Sequence, residues 1–268
     1  MQIVSLPAAN GRRWVVEGFR LLRHHPAALL AITFLYLLLL MATTIVPLVG
    51  PFAPMLLTPM LAVGMTHAVR SADFGQAPTP RMLLAGLTAA GARARRPLLL
   101  LGLVNVLSTL LALGLASLAD GGTLLRIATG LSASDDPSLQ EAALLLASAV
   151  FLLLYTPVQM ALWYAPVFVA WHGLTPGKAM FFSLMAVMRN KGAFAQFGIT
   201  WFLVALVASF AVQMLKLAFG SSPLLMSMVL SPLSLVVLSA LYCSFWPSYR
   251  DAVQPDDDAP APGAPHVR

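Results

Sequence analysis

Leu57-Thr58-Pro59, Tyr155-Thr156-Pro157 and Leu230-Ser231-Pro232 decide how this chain reads. Each puts a hydroxyl residue directly before a proline inside a long uncharged run. Proline removes one backbone N–H and crowds the carbonyl a turn earlier, so an apolar helix kinks there. In lipid the freed carbonyl must find a partner, and a neighbouring Thr or Ser hydroxyl can serve it. The expectation is an all-α polytopic membrane protein of three related hairpins. The second helix of each kinks at Pro59, Pro157 or Pro232.

Composition agrees. Of 268 residues, 59% are hydrophobic and 10% charged, with a mean hydropathy of +0.83. Soluble domains carry about 25% charged residues, and uncharged runs of about 20 residues, enough to cross a bilayer, recur along this chain. The net charge of +6 would suit nucleic acid, but the basic residues mark helix ends, so no nucleic-acid partner is expected. Cys243 is the single cysteine. That excludes an intrachain disulfide and a cysteine-built metal site, and it reads as a small apolar residue of the last helix.

Working outward, the spacing predicts six spans at about 27–46, 52–69, 98–118, 142–171, 194–217 and 224–246. The fourth run has 30 uncharged residues, about 45 Å of helix, so kinks at Pro157 and Pro166 or a tilt must absorb the excess over the hydrocarbon core. A helix precedes each hairpin. In the first copy Trp14, Val15, Gly18, Phe19, Leu21 and Leu22 share a face, with Arg13, Glu17, Arg20 and His24 opposite. Such a basic amphipathic helix lies in the membrane interface or docks on a protein. Thr79-Pro80 and Thr175-Pro176 start the other two as N-cap plus first helical residue. Span 27–46 is too long for a signal-peptide core and reads as a retained anchor. Between spans three and four, Ser138 and Glu141 have capping-box spacing. Residues 1–250 read as one membrane domain and 251–268 as a disordered tail.

Lys and Arg fix the expected orientation. The junctions before spans one, three and five, with the C-terminal tail, hold 14 of the 16; Arg126 and Lys216 lie on the other side. Both termini are therefore expected in the cytoplasm.

The spans carry no ionisable group at depth, which speaks against ion-coupled transport. They do carry amides: Asn105, Gln159 and Gln213, one each on spans three, four and five. Amides and small residues hold helices together across interfaces; alternatively these three line a polar pocket between the hairpins. No phosphate-binding glycine loop, zinc motif or nucleophile–base set is written, so neither catalysis nor a cofactor is expected.

The opening Gln2–Leu22, followed by a proline-initiated span, resembles an uncharacterised, betaproteobacterial-type family of six-helix inner-membrane proteins. So does Tyr164-Ala-Pro-Val-Phe-Val-Ala-Trp171 before Ala179–Arg189. The resemblance covers most of residues 2–250 and implies an inner-membrane location, with no assigned activity. The three-hairpin plan is also similar to that of mitochondrial carriers, but Pro47–Phe52 lacks their acidic–basic motif.

Two functions fit. One is a non-catalytic scaffold or accessory component whose partners are the lipid bilayer and other membrane proteins. The other is a permease or lipid-handling protein with a pocket between the hairpins.

Overall fold

A computed structural model of the chain describes residues 2–45, 50, 52–84, 91–129, 141–219 and 223–254. Helices dominate: α1 (Asn10–His24), α2 (Pro26–Thr43), α3 (Ala53–Asp73), α4 (Gly91–Asp120), α5 (Thr123–Ala128), α6 (Glu141–Leu162), α7 (Ala165–His172), α8 (Pro176–Arg189), α9 (Lys191–Phe219) and α10 (Pro223–Ala252). A 3-10 turn covers Pro80–Leu84. Thr175 is the extended N-cap of α8, with Pro176 behind it. The expected capping box at Ser138 falls largely outside the described residues.

Among the described residues, five segments are long and apolar enough to cross a membrane: Pro26–Thr43, Arg93–Asp120, Ala142–His172, Lys191–Leu217 and Ser227–Ala252. The second of the six expected spans is not among them. Its helix, α3, carries Pro59, Thr66, His67, Arg70 and Asp73, which dilute its apolarity. It also lies deepest, with 11 of its 21 residues buried under α2, α4, α7, α10 and the 3-10 turn. Protein rather than lipid covers it, so its polar residues meet polar partners. Glycines permit two close approaches: a Cβ on Gly64 would overlap the carbonyl of Leu83 in the 3-10 turn, and one on Gly102 of α4 that of Leu56.

The helix pairs expected as three hairpins are not alike. α2 packs on α3 and α4 packs closely on α6, whereas α9 and α10 barely touch. α1 enters between them instead. Trp14 is fully buried against Phe194 and Phe197 of α9, at 5.5 and 6.0 Å between ring centroids. Gly18 meets α10 so closely that a Cβ would come within 2.7 Å of the Ala240 carbonyl. The apolar face of α1 is thus covered by its own chain, and Trp14 is not a lipid-facing anchor. Its basic residues Arg12, Arg13, Arg20 and Arg23 remain outside.

The disordered tail expected from 251 is corrected at its start. Val253–Gln254 pairs antiparallel with Gln2–Ile3, in the register Gln2↔Gln254 and Ile3↔Val253, and Val4 N–H adds a bond to the Ala252 carbonyl at 3.0 Å. Buried Asn190, at the α8–α9 junction, holds this strand from the side. It accepts from Leu6 N–H at 2.8 Å and donates to the Val4 carbonyl at 2.9 Å. Gln2–Ile3 and Val253–Gln254 therefore lie together at one end of the bundle, called the terminal end below.

Candidate functional site

The site begins at a proline. Pro59 has no N–H to offer the Met55 carbonyl one turn earlier. The side chain that reaches this carbonyl is Asn105 of α4, its Nδ2 at 3.4 Å. Thr58 does not take that role; its hydroxyl donates to the Pro54 carbonyl at 2.8 Å. Thr156 likewise serves Leu152, at 2.6 Å. At the third signature Ser234, not Ser231, donates to the Leu230 carbonyl. Pro59, Pro157 and Pro232 all sit inside continuous helices.

Asn105 Oδ1 then accepts two bonds from α6, one from the Tyr155 hydroxyl at 3.0 Å and one from Gln159 Nε2 at 3.1 Å. One nearly buried amide joins three helices. Beside it lies a cavity of about 190 Å³, lined by Tyr36, Thr58, Pro59, Ala62, Met65, Thr66, Asn105, Gln159, Leu162, Trp163, Pro166, Tyr242 and Phe245. Its polar groups are amides, hydroxyls and one indole, and no side chain charged at neutral pH lines it. No hydrogen bond is described for Gln159 Oε1, and the buried indole N–H of Trp163 has no partner among the described residues.

A break in α6 shapes the far wall of the cavity. The helix stops at Leu162 and resumes at Ala165, ahead of Pro166. Ser183 of α8 enters the gap. It accepts from Tyr164 N–H and donates to the Met160 carbonyl, both at 2.9 Å, thereby replacing the bond those two groups would have made to each other. Trp163 is thereby turned onto Phe245, stacked at 4.6 Å. Ser183→Ala is expected to leave two buried backbone groups unpaired and cost about 1–3 kcal/mol. A lower unfolding midpoint would show it, and an unchanged midpoint would mean that α6 closes its own gap.

The three amides singled out in the sequence do not share one pocket. Asn105 and Gln159 meet; Gln213 does not join them. It lies in a separate cleft between α9 and α10, because α1 holds that hairpin open.

Sequence reasoning missed the second polar cluster, at the terminal end. Arg250 of α10 reaches Glu17 of α1 at 2.8 Å, Asp73 of α3 at 3.1 Å and its neighbour Asp251 at 3.1 Å. Trp14 Nε1 donates to Asp251 at 3.0 Å and Trp246 Nε1 to Asp73 at 2.8 Å. Arg70 lies over the rings of Trp171, Trp246 and Phe74 at 5.0, 5.6 and 5.7 Å. His172 Nε2 and the Tyr249 hydroxyl are 2.7 Å apart. Two arginines, three carboxylates, one histidine and five aromatic rings thus join α1, α3, α7 and α10. One signal in the sequence was available: Asp73, Arg250 and Asp251 sit at the ends of apolar runs, the last two just after Trp246.

Apolar helices of this length, packed round a polar centre, define a polytopic integral membrane protein. No protein-family model matches the chain, and no solved structure does. A probable inner membrane protein of Burkholderia thailandensis is 38% identical over 269 aligned residues, covering 100% of this chain and 98% of that protein. The chain belongs to that family of inner-membrane proteins.

Proposed function

We propose that the protein holds a small uncharged molecule in the cavity beside Asn105 and Gln159, without catalysis, as a permease or carrier would. The cavity itself carries this reading: about 190 Å³ in the middle of the bundle, apolar on most sides. Gln159 Oε1 offers an acceptor on its wall. An occupant with an apolar body and one hydroxyl or amide donor matches it. A charged substrate would meet no counter-charge there.

The same reading takes α3 as a sixth span sheltered by its neighbours, with both termini in the cytoplasm on the basic side. α8 fits the interface at that level. Phe181, Met185 and Met188 stand exposed along one stripe, flanked by Lys178 and Arg189.

The test is native mass spectrometry of protein extracted in its own lipids. A reproducible small adduct on the wild type, lost in Gln159→Leu, supports the reading. Gln159→Leu leaves Asn105 its bonds to Tyr155 and Met55, so the variant should melt within about 1 kcal/mol of the wild type. A wild type without adduct, or an adduct indifferent to Gln159→Leu, sinks it.

A scaffold is favoured by a different observation. The outer face of α1 exposes Arg12, Arg13, Arg20 and Arg23 around Val16, which is 61% exposed. A protein partner with acidic groups would fit that face. Arg20→Ala with Arg23→Ala would then abolish function while Gln159→Leu left it intact.

A further inference from the structure

The opened third hairpin leaves a second space, unconnected with the reading above. Beyond the α1 wedge, α9 and α10 enclose a cleft of about 600 Å³. Its walls are apolar, with Ala208, Val212, Leu233 and Val237 among them. Its polar groups sit together toward the end away from the termini. Ser209, Gln213 and Lys216 follow one another about a turn apart on α9, and Gln213 and Lys216 are exposed. Lys216 lies three residues before Phe219, where α9 stops. With about 43 Å of helix in its 29 residues, α9 overreaches a hydrocarbon core of about 30 Å, so Lys216 stands at headgroup depth.

Two features say what covers this space. A cleft of this size facing fluid hydrocarbon fills with hydrocarbon, because an empty one forfeits its dispersion contacts. The lysine also needs an anion. No acidic residue occurs anywhere between Glu141 and Asp251, so neither wall of the cleft carries a counter-charge. A molecule with an apolar chain and an anionic head at the membrane surface satisfies both at once.

We propose that this cleft is the binding site of one phospholipid from the leaflet away from the termini. Its phosphate sits against the Lys216 ammonium and the Gln213 amide, and one acyl chain runs between α9 and α10 past Ala208. The lysine acts as a point charge on the phosphate, its own methylene stem lying along the cleft wall.

The experiment uses delipidated full-length protein titrated with phosphatidylglycerol and read by native mass spectrometry. Wild type is expected to retain one lipid through activation energies that strip the rest. Lys216→Gln should weaken that lipid about fivefold, and Lys216→Arg should keep it. Ala208→Trp, which fills the chain-binding part of the cleft, should abolish it. Gln159→Leu should leave it unchanged, which separates this site from the central cavity. Equal retention by wild type, Lys216→Gln and Ala208→Trp overturns the proposal. So does a lipid-free dimer that Ala208→Trp converts to monomer, since the occupant is then a second copy. If Ala208→Trp fails to fold, the Lys216→Gln and Lys216→Arg pair decides alone.

Discussion

Arg250→Ala is expected to lower the unfolding midpoint in detergent by roughly 5–10 °C. The guanidinium bonds three carboxylates that are themselves only 12–16% exposed: Glu17, Asp73 and Asp251. Removing it leaves them facing one another; of the ion pairs described here only Arg13–Glu17 persists, and Arg13 is 62% exposed. Breaking a fully buried pair costs about 3–5 kcal/mol, because the partner's charge is left uncompensated. Arg250 is one-third exposed, so water screens part of the loss and about 3 kcal/mol is the expected size. Arg250→Lys should recover a fraction of this. An ammonium keeps the charge but cannot reach Glu17, Asp73 and Asp251 together. A midpoint equal to that of the wild type would mean the cluster is a surface ornament.

Trp14→Ala should cost about as much by another route. The ring is fully enclosed by α9 and α10, and truncating a buried tryptophan costs about 3–5 kcal/mol. Trp14→Phe separates the two contributions. It keeps most of the apolar contact with Phe194 and Phe197 and loses the indole N–H that donates to Asp251, a loss of about 1–3 kcal/mol for a charged acceptor. If α1 instead lay in the lipid interface with Trp14 facing outward, Trp14→Ala would leave the melting curve unchanged. A lipid-borne quencher would then reach that tryptophan.

The apolar runs and their charged ends were legible in the sequence because hydropathy is a local property. So were the start of α8 at Thr175-Pro176 and the apolar face of α1, since both rest on neighbouring residues. What covers that face was not legible. A basic amphipathic helix with a tryptophan has the same pattern whether lipid or protein lies beneath it, and only packing assigned Trp14 to α9. The second expected span shows the same limit. Its apolar run at 52–69 was legible, but not that α2, α4, α7 and α10 pack around it and shelter its polar residues.

The candidate site was half legible. Amides in apolar helices announce hydrogen bonding across helices, and Asn105 and Gln159 do meet. Their grouping with Gln213 assumed three equivalent hairpins, and the α1 wedge removes that equivalence. The proline chemistry shows the same limit. That Pro59 frees a carbonyl could be read from one residue; that Asn105, 50 positions beyond Met55, answers it could not. The Arg250 cluster spans 233 positions, from Glu17 to Arg250, and no local pattern reports such a pairing.

An experimental density map of the protein extracted in its own lipids would decide whether the centre of the bundle is an occupied site. The expected result is non-protein density in the cavity beside Gln159, within hydrogen-bonding distance of Gln159 Oε1. A centre closed by side chains, with the Gln159 amide bonded only within the protein and no density beside it, would contradict it.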